Sequence, residues 1–304
     1  MSDLRKAAGV LALVVAAIYT PAAADRSQTL AGRIESRTAP DGASAWQRSF
    51  ASRLRLVAAA TGSPADTLEA GVEIVLEPGW KTYWRNPGDS GIAPVFDFSG
   101  SVNVADVDVA YPVPDRFDMP GDISFGYADR VVFPLTVTPA EPGLPVSLSV
   151  HVNYGVCEEL CIPVDAQARL DWTDDAPSAT LFAGDLALWR DKVPAAGNLT
   201  VESLDLLEGD GKYAQLRIAV TVASLTAGED LADPHLIVEQ TGGPARVYFG
   251  VPELHMGEMR AVAEVPVRRL SNQPGLEAGA RLLLTLAVGG RAHTAIADIS
   301  ASGR

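Results

Sequence analysis

From Trp46 onward the chain consists of short runs that alternate apolar and polar residues, and nearly every run ends at a glycine or a proline. Successive strand side chains point to opposite faces, so such a run fits a strand with one buried face. Turn residues recurring about every 8–15 residues leave little room for long helices and point to antiparallel sheets packed on one another. Leu54, Leu56 and Ala58 alternate within Ser52 to Ala60. Leu68, Val72, Ile74 and Leu76 share one face of Thr67 to Leu76, which runs into the turn signal Glu77-Pro78-Gly79. Lys81 to Arg85 reads as a short aromatic strand closed by Asn86-Pro87-Gly88. Further strands are expected at 95–98, 102–109, 131–138, 146–154 and 162–172. After a polar connector, Ala179 to Lys192 carries Leu181, Phe182, Leu186, Leu188 and Trp189 at helical spacing. A second strand-rich block follows, with strands expected at 214–222, 235–239, 245–249, 259–267 and 281–288. The expected fold class is all-β: two immunoglobulin-like β-sandwich domains over 46–175 and 198–304, joined by a short helical linker over 176–197.

The amino-terminal segment has a different character. Arg5 and Lys6 precede the apolar stretch Ala7 to Ile18, and Ala22-Ala23-Ala24 offers a small-residue cleavage site. That stretch is shorter than the roughly 20 residues a membrane span needs, so 1–24 reads as a signal peptide. Residues 25–45 are polar and expected to be flexible. The expectation is an exported, periplasmic protein in a disulfide-permissive compartment, with no membrane span after cleavage. Acidic residues outnumber basic ones 38 to 24, a net charge of −14. A nucleic-acid partner, which needs a basic footprint, is not expected. No G-x-S-x-G elbow, phosphate loop, H-E-x-x-H helix or EF-hand loop occurs, and Glu208-Gly209-Asp210-Gly211 is an acidic turn without nucleotide-binding context. His151, His235, His255 and His293 are scattered singly, so no metal site and no cofactor is expected.

Only two cysteines are present, Cys157 and Cys161. Both lie in Asn153-Tyr154-Gly155-Val156-Cys157-Glu158-Glu159-Leu160-Cys161-Ile162-Pro163, between two strand-like runs. A three-residue connection is a common hairpin loop. It would set the two residues opposite each other, about 4.5–5.5 Å apart at Cα and within disulfide range. A ring this small gives a disulfide only roughly 2 kcal/mol of cross-linking entropy, against about 3 for a fifteen-residue loop. A bridge of low stabilising value on a turn is well placed for thiol–disulfide exchange. A local structural staple and a Cu(I) site of two thiolates are the alternatives. The pair is not the C-x-x-C of a thioredoxin, because an alternating strand follows it where that motif has a helix. Glu158 and Glu159 disfavour a neighbouring thiolate, as suits a carrier that exchanges only with docked partners.

Around these cysteines four segments resemble a known family. They are Gly79-Trp80-Lys81-Thr82-Tyr83-Trp84-Arg85-Asn86-Pro87-Gly88-Asp89-Ser90-Gly91, then Tyr111-Pro112-Val113-Pro114, then Phe125-Gly126-Tyr127 through Phe133-Pro134, and the cysteine segment itself. The stretch from about 71 to 172 resembles the amino-terminal periplasmic (alpha) domain of the thiol:disulfide interchange protein DsbD, and is closer to the ScsB-like branch. The resemblance implies an immunoglobulin-like sandwich with redox cysteines on a hairpin, and a thiol–disulfide oxidoreductase role as a protein-disulfide reductase component. It implies electron flow from a membrane electron-transfer protein of the DsbD/CcdA type to periplasmic thioredoxin-like or disulfide-isomerase-like proteins, in settings such as cytochrome c biogenesis and copper tolerance. It makes Cys161 the sulfur of the mixed disulfide, since the second cysteine has that part in the family. An aromatic cap over the cysteines maps to Phe125, with Tyr127 second, although only one aromatic precedes Gly126 here. DsbD and ScsB continue into transmembrane helices and a thioredoxin-like domain, so the membrane partner is expected on a separate chain or on a continuation of this one.

Cys157-x-x-x-Cys161-x-Pro163 is also similar to the C-x-x-x-C-P copper motif of Sco proteins, with one extra residue before the proline. It keeps a copper-binding alternative beside the static staple. Trp80, Tyr83, Trp84 and Tyr154 are candidates for a docking surface beside the hairpin. Arg85 and Asp89 are expected to pair across the Asn86-Pro87-Gly88 turn. His151, on a strand, lies roughly 20 Å from Cys157, too far to activate it.

Overall fold

The alternating runs become strands. A computed structural model describes residues 39–61, 66–88, 90–119, 122–172, 178–207, 213–222, 234–241, 247–250, 252–257, 260–269, 275–277 and 279–300. The expected signal peptide 1–24, most of the segment 25–45, Asp89 and the 208–211 turn lie outside these residues. In chain order the first sandwich contains β1 (Gln47–Ser49), β2 (Ser52–Ala58), β3 (Ala60–Thr61), β4 (Leu68–Leu76), β5 (Lys81–Gly88), β6 (Val95–Asp97), β7 (Val104–Val109), β8 (Asp115–Met119), β9 (Asp122–Ala128), β10 (Arg130–Pro139), β11 (Val146–Cys157) and β12 (Cys161–Trp172). After β13 (Ser178–Ala179) comes the helix α1 (Ala183–Asp191). The second sandwich contains β14 (Ala195–Ala196), β15 (Leu199–Leu207), β16 (Tyr213–Val222), β17 (His235–Gln240), β18 (Val247–Phe249), β19 (Glu253–Met256), β20 (Arg260–Arg269), β21 (Arg281–Val288) and β22 (Arg291–Asp298).

The first sandwich packs a five-stranded sheet, β1-β2-β4-β10-β7, on a six-stranded one, β12-β11-β5-β9-β8 with β6 added beside β11. Their inner faces share one core, including Leu54, Leu56, Val72, Ile74, Phe133 and Leu135 from one sheet and Trp84, Leu148, Val150 and Val152 from the other. The second sandwich packs β14-β22-β21-β17 on β15-β16-β20-β18 with β19. Its core is centred on Leu216, Ile218, Val265, Leu282, Leu284 and Leu286. The all-β, two-sandwich fold is therefore the one the alternation predicts.

Several elements differ from the expectation. β8 and β9 were not anticipated, because β8 is charged (Asp115-Arg116-Phe117-Asp118-Met119) and Gly126 interrupts the alternation of β9. β15 and β22 also lie outside the expected strands; β15 bulges between Val201 and Ser203, and β22 carries the exposed Ile296 out of phase. The helix is shorter than 179–192, because Ser178 and Ala179 pair with β3 instead. Leu181 and Leu188 are exposed, and Phe182 and Leu186 carry the packing of α1 against Ala43, Val57 and Val132.

Ion pairs fix that helix to the outer face of the first sheet. Buried Glu73 on β4 accepts from Arg55 Nε at 2.6 Å and Arg130 Nε at 2.7 Å. Arg130 also pairs with Asp185 of α1, and Arg190 of α1 pairs with Glu69 and donates to the Leu135 carbonyl. Just past the helix, the Lys192 carbonyl accepts from the Val113 N–H at 2.8 Å. No helix among the described residues is long and apolar enough to cross a membrane.

β17 is the edge strand of its sheet and is covered on both faces. Leu236 and Val238 belong to the core of the second sandwich, whereas Ile237 belongs to that of the first. Alternation sends His235 and Glu239 to the same side as Ile237.

Candidate functional site

β11 and β12 form one antiparallel hairpin, in register from Val146 opposite Trp172 down to Cys157 opposite Cys161. The two cysteines are bonded as a disulfide, with their Cα atoms 4.3 Å apart. Glu158, Glu159 and Leu160 close the turn and are all exposed, Leu160 at 77%.

The two sulfurs are not equivalent. Cys157 ends an interior strand, flanked by β12 on one side and by Lys81 of β5 on the other, and is 2% exposed. Cys161 begins the edge strand and is exposed. An incoming thiolate must approach along the S–S axis, and Cys161 is the end that solvent reaches.

The sequence segment Lys81-Thr82-Tyr83 ties β5 to this hairpin. The Thr82 hydroxyl donates to the Gly155 carbonyl at 2.8 Å in a buried position. Tyr83, 1% exposed, has its Oη 2.9 Å from Cys161 Sγ. A disulfide sulfur carries no proton, so the phenol is the donor. The chain then returns past the same sulfur: the Ser90 carbonyl oxygen lies 4.0 Å from Cys161 Sγ, and the Ile92 carbonyl accepts from the Gly155 N–H at 3.2 Å.

The other candidates from the sequence are placed as follows. Trp80 is half-buried, with the exposed Phe50 edge-on at 5.2 Å between ring centroids. Trp84 is fully buried, and the Arg85 guanidinium lies 4.0 Å over its ring. Tyr154 is a core residue with its hydroxyl 2.9 Å from Ser52 Oγ, and burial pushes its phenol above the ordinary range. Tyr127 is 3% exposed and donates to the Pro112 carbonyl at 2.8 Å; burial pushes its phenol up strongly. Phe125 lies on β9 with its ring stacked on His235 of β17, centroids 5.7 Å apart. Of these residues, the structure brings Tyr83 to the sulfurs and sends Phe125 to the second sandwich.

Arg85 forms a bidentate pair with Glu239, Nη2 to Oε2 at 2.8 Å and Nε to Oε1 at 3.0 Å. Its expected partner, Asp89, lies outside the described residues. His151 is paired with Asp165 on the exposed face of the hairpin, at 2.5 Å. His235 and Glu239 were not singled out from the sequence. The signal for them was available in Leu236-Ile237-Val238, an unbroken apolar run flanked by His235 and Glu239 that marks a strand covered on both faces. Among the described residues no group of three or more His, Cys, Asp or Glu is gathered as a metal site.

Residues 54–171 match the family described as "Thiol:disulfide interchange protein DsbD, N-terminal". Residues 192–302 match a domain of unknown function, DUF8393. No curated protein matches the chain. The crystal structure of the N-terminal periplasmic domain of ScsB from Proteus mirabilis superposes with a TM-score of 0.65 at 22% identity, covering 85% of this chain and 98% of that one. The two share a fold across both sandwiches. A conserved domain protein from Bacillus anthracis covers 87% of this chain and 91% of its own at 9% identity, but its TM-score of 0.23 bears on nothing further.

Proposed function

With a first sandwich that matches the DsbD amino-terminal domain and carries the Cys157–Cys161 disulfide, we propose that this protein relays reducing equivalents by thiol–disulfide exchange at that pair. Its donor is a membrane electron-transfer protein of the DsbD/CcdA type, its clients are thioredoxin-like or disulfide-isomerase-like proteins, and its compartment is the periplasm. The observation that carries this reading is the asymmetry of the disulfide, with one sulfur exposed on an edge strand and the other 2% exposed beside it.

A donor thiolate attacks Cys161 Sγ. The S–S bond breaks, its electron pair leaves on Cys157, and a mixed disulfide joins the donor to Cys161. The donor's second thiolate attacks its own sulfur of that bond and displaces Cys161. The donor is now the disulfide, and Cys157 and Cys161 are the dithiol once protonated by solvent. Cys161 then attacks a client disulfide, and Cys157 resolves the new bond, passing both electrons on. Charge leaving on Cys157 is desolvated and has Glu158 as its chain neighbour, which keeps exchange with stray thiols slow. The Tyr83 hydroxyl supplies a hydrogen bond to Cys161 when that sulfur carries charge.

Trapping with single-cysteine variants tests the scheme. Cys157→Ser leaves the exposed thiol without its resolving partner and is expected to accumulate mixed disulfides in periplasmic extract. Cys161→Ser leaves only the buried thiol and is expected to trap far fewer. If neither variant traps a partner and the wild-type pair stays oxidised in cells, the pair is a static staple.

A further inference from the structure

β5 and β9 are paired at Tyr83 with Gly126 and again at Gly88 with Ser124. Between those pairs β9 supplies one residue, Phe125, whereas β5 supplies Trp84, Arg85, Asn86 and Pro87. Such an excursion leaves the ladder, and other contacts must hold it. Here Trp84 is anchored in the first core, and Arg85 and Asn86 reach the second sandwich. β17 turns His235, Ile237 and Glu239 toward the first sandwich by strand alternation. Glu239 takes Arg85 in its bidentate pair, and Asn86 Nδ2 donates to the Val238 carbonyl at 3.5 Å. Ile237 is buried in the first core, and His235 stacks on Phe125, the one residue of β9 facing the excursion.

The same excursion packs against the wall of the sulfur site. A Cβ at Gly91 would lie 2.5 Å from Pro87 Cβ and 2.7 Å from Tyr83 Cδ1, so the segment is folded tightly onto the Tyr83 ring. One residue earlier, the Ser90 carbonyl faces Cys161 Sγ. Through Pro87 and Gly91, the residues that meet Glu239 are thus packed onto those beside the exposed sulfur.

We propose that Glu239 is a positioning residue for the disulfide: through Arg85 it holds the β5 excursion, and with it Tyr83 and Ser90, against Cys161, so that the second sandwich restricts access to the exposed sulfur. This rests on the exchange proposed for Cys161, and its test does not require a natural partner. The full chain is reduced with dithiothreitol. One dithiothreitol thiolate attacks Cys161 Sγ, the electron pair leaves on Cys157, and the second thiol closes the dithiothreitol ring, leaving oxidised dithiothreitol and a protein dithiol. Glu239→Gln is expected to be reduced roughly fivefold faster than wild type, at the low end of couplings between linked sites. Exchanging the charges, Arg85→Glu with Glu239→Arg, restores the slow rate. Asp298→Asn removes an ion pair of the second sandwich two strands from β17 and leaves the rate unchanged. Should Glu239→Gln fail to fold, Arg85→Lys, which keeps the charge but loses the bidentate fork, takes its place with the same expected acceleration. An unchanged rate in the folded variant, or equal acceleration in Asp298→Asn, overturns the proposal. A chain that traps no partner yet shows the Glu239 effect keeps the clamp and loses the relay; one that traps partners without the effect does the reverse.

Discussion

The smallest decisive unit is the contact between Tyr83 and Cys161. The phenol is buried and its Oη lies 2.9 Å from the sulfur, so its donor has little choice of direction. In Tyr83→Phe the ring still fills its space, but the donor is gone. A hydrogen bond of this kind is worth about 0.5–1.5 kcal/mol, more when it meets a charge. Reduced Tyr83→Phe is therefore expected to attack a small disulfide substrate roughly two- to tenfold more slowly at neutral pH, which stopped-flow kinetics of the reduced protein would read. An unchanged rate would make the tyrosine a packing residue only. The tyrosine was among the residues singled out in the sequence, but its role was not legible there. Tyr83 and Cys161 are 78 positions apart, and neither periodicity nor spacing says which of Trp80, Tyr83 and Trp84 meets the sulfur.

At the scale of elements, the hairpin is the part of the chain most legible in the sequence. A three-residue connection between alternating runs fixes the register, and the facing cysteines follow from it. The linker helix is less legible, because Leu181 and Leu188 are exposed and only Leu186 of its leucines packs inward. What holds it is a place cleared on the neighbouring sheet. At Gly71 of β4 a Cβ would sit 2.7 Å from Leu186 Cδ2 and 2.7 Å from Val132 Cγ1, so the strand and the helix can be this close only over a glycine. Gly71→Ala is expected to overpack that contact and cost about 1–3 kcal/mol in urea unfolding. A neutral result would mean that the helix can move out at no cost and that its ion pairs with Arg130 and Glu69 alone hold it.

For the whole molecule, buried tyrosines are expected to set the alkaline limit of stability. Burial raises Tyr127 strongly, and it raises Tyr111 and Tyr154 less. A phenol raised in the folded chain contributes stability that is fully present below the unfolded value near 10 and is lost as pH rises through the folded one. The melting temperature should accordingly hold up to about pH 10 and fall above it. In Tyr127→Phe, which also loses the bond to the Pro112 carbonyl, the plateau should be lower and the fall shallower. An equally steep fall would assign the alkaline limit to other groups. The alternation of apolar and polar residues by itself determined that this chain is two β-sandwiches, and the short link between Cys157 and Cys161 determined that they face each other. Both are local properties, decided within a few residues by strand pleat and turn geometry. Only the tertiary structure decided that Cys161 is exposed while Cys157 is buried, that Tyr83 reaches the sulfur, and that β17 gives one face to each sandwich. These depend on which strand lies at a sheet edge and which surfaces meet across the chain, as Arg85 meets Glu239 from 154 positions away, and no local pattern carries that information.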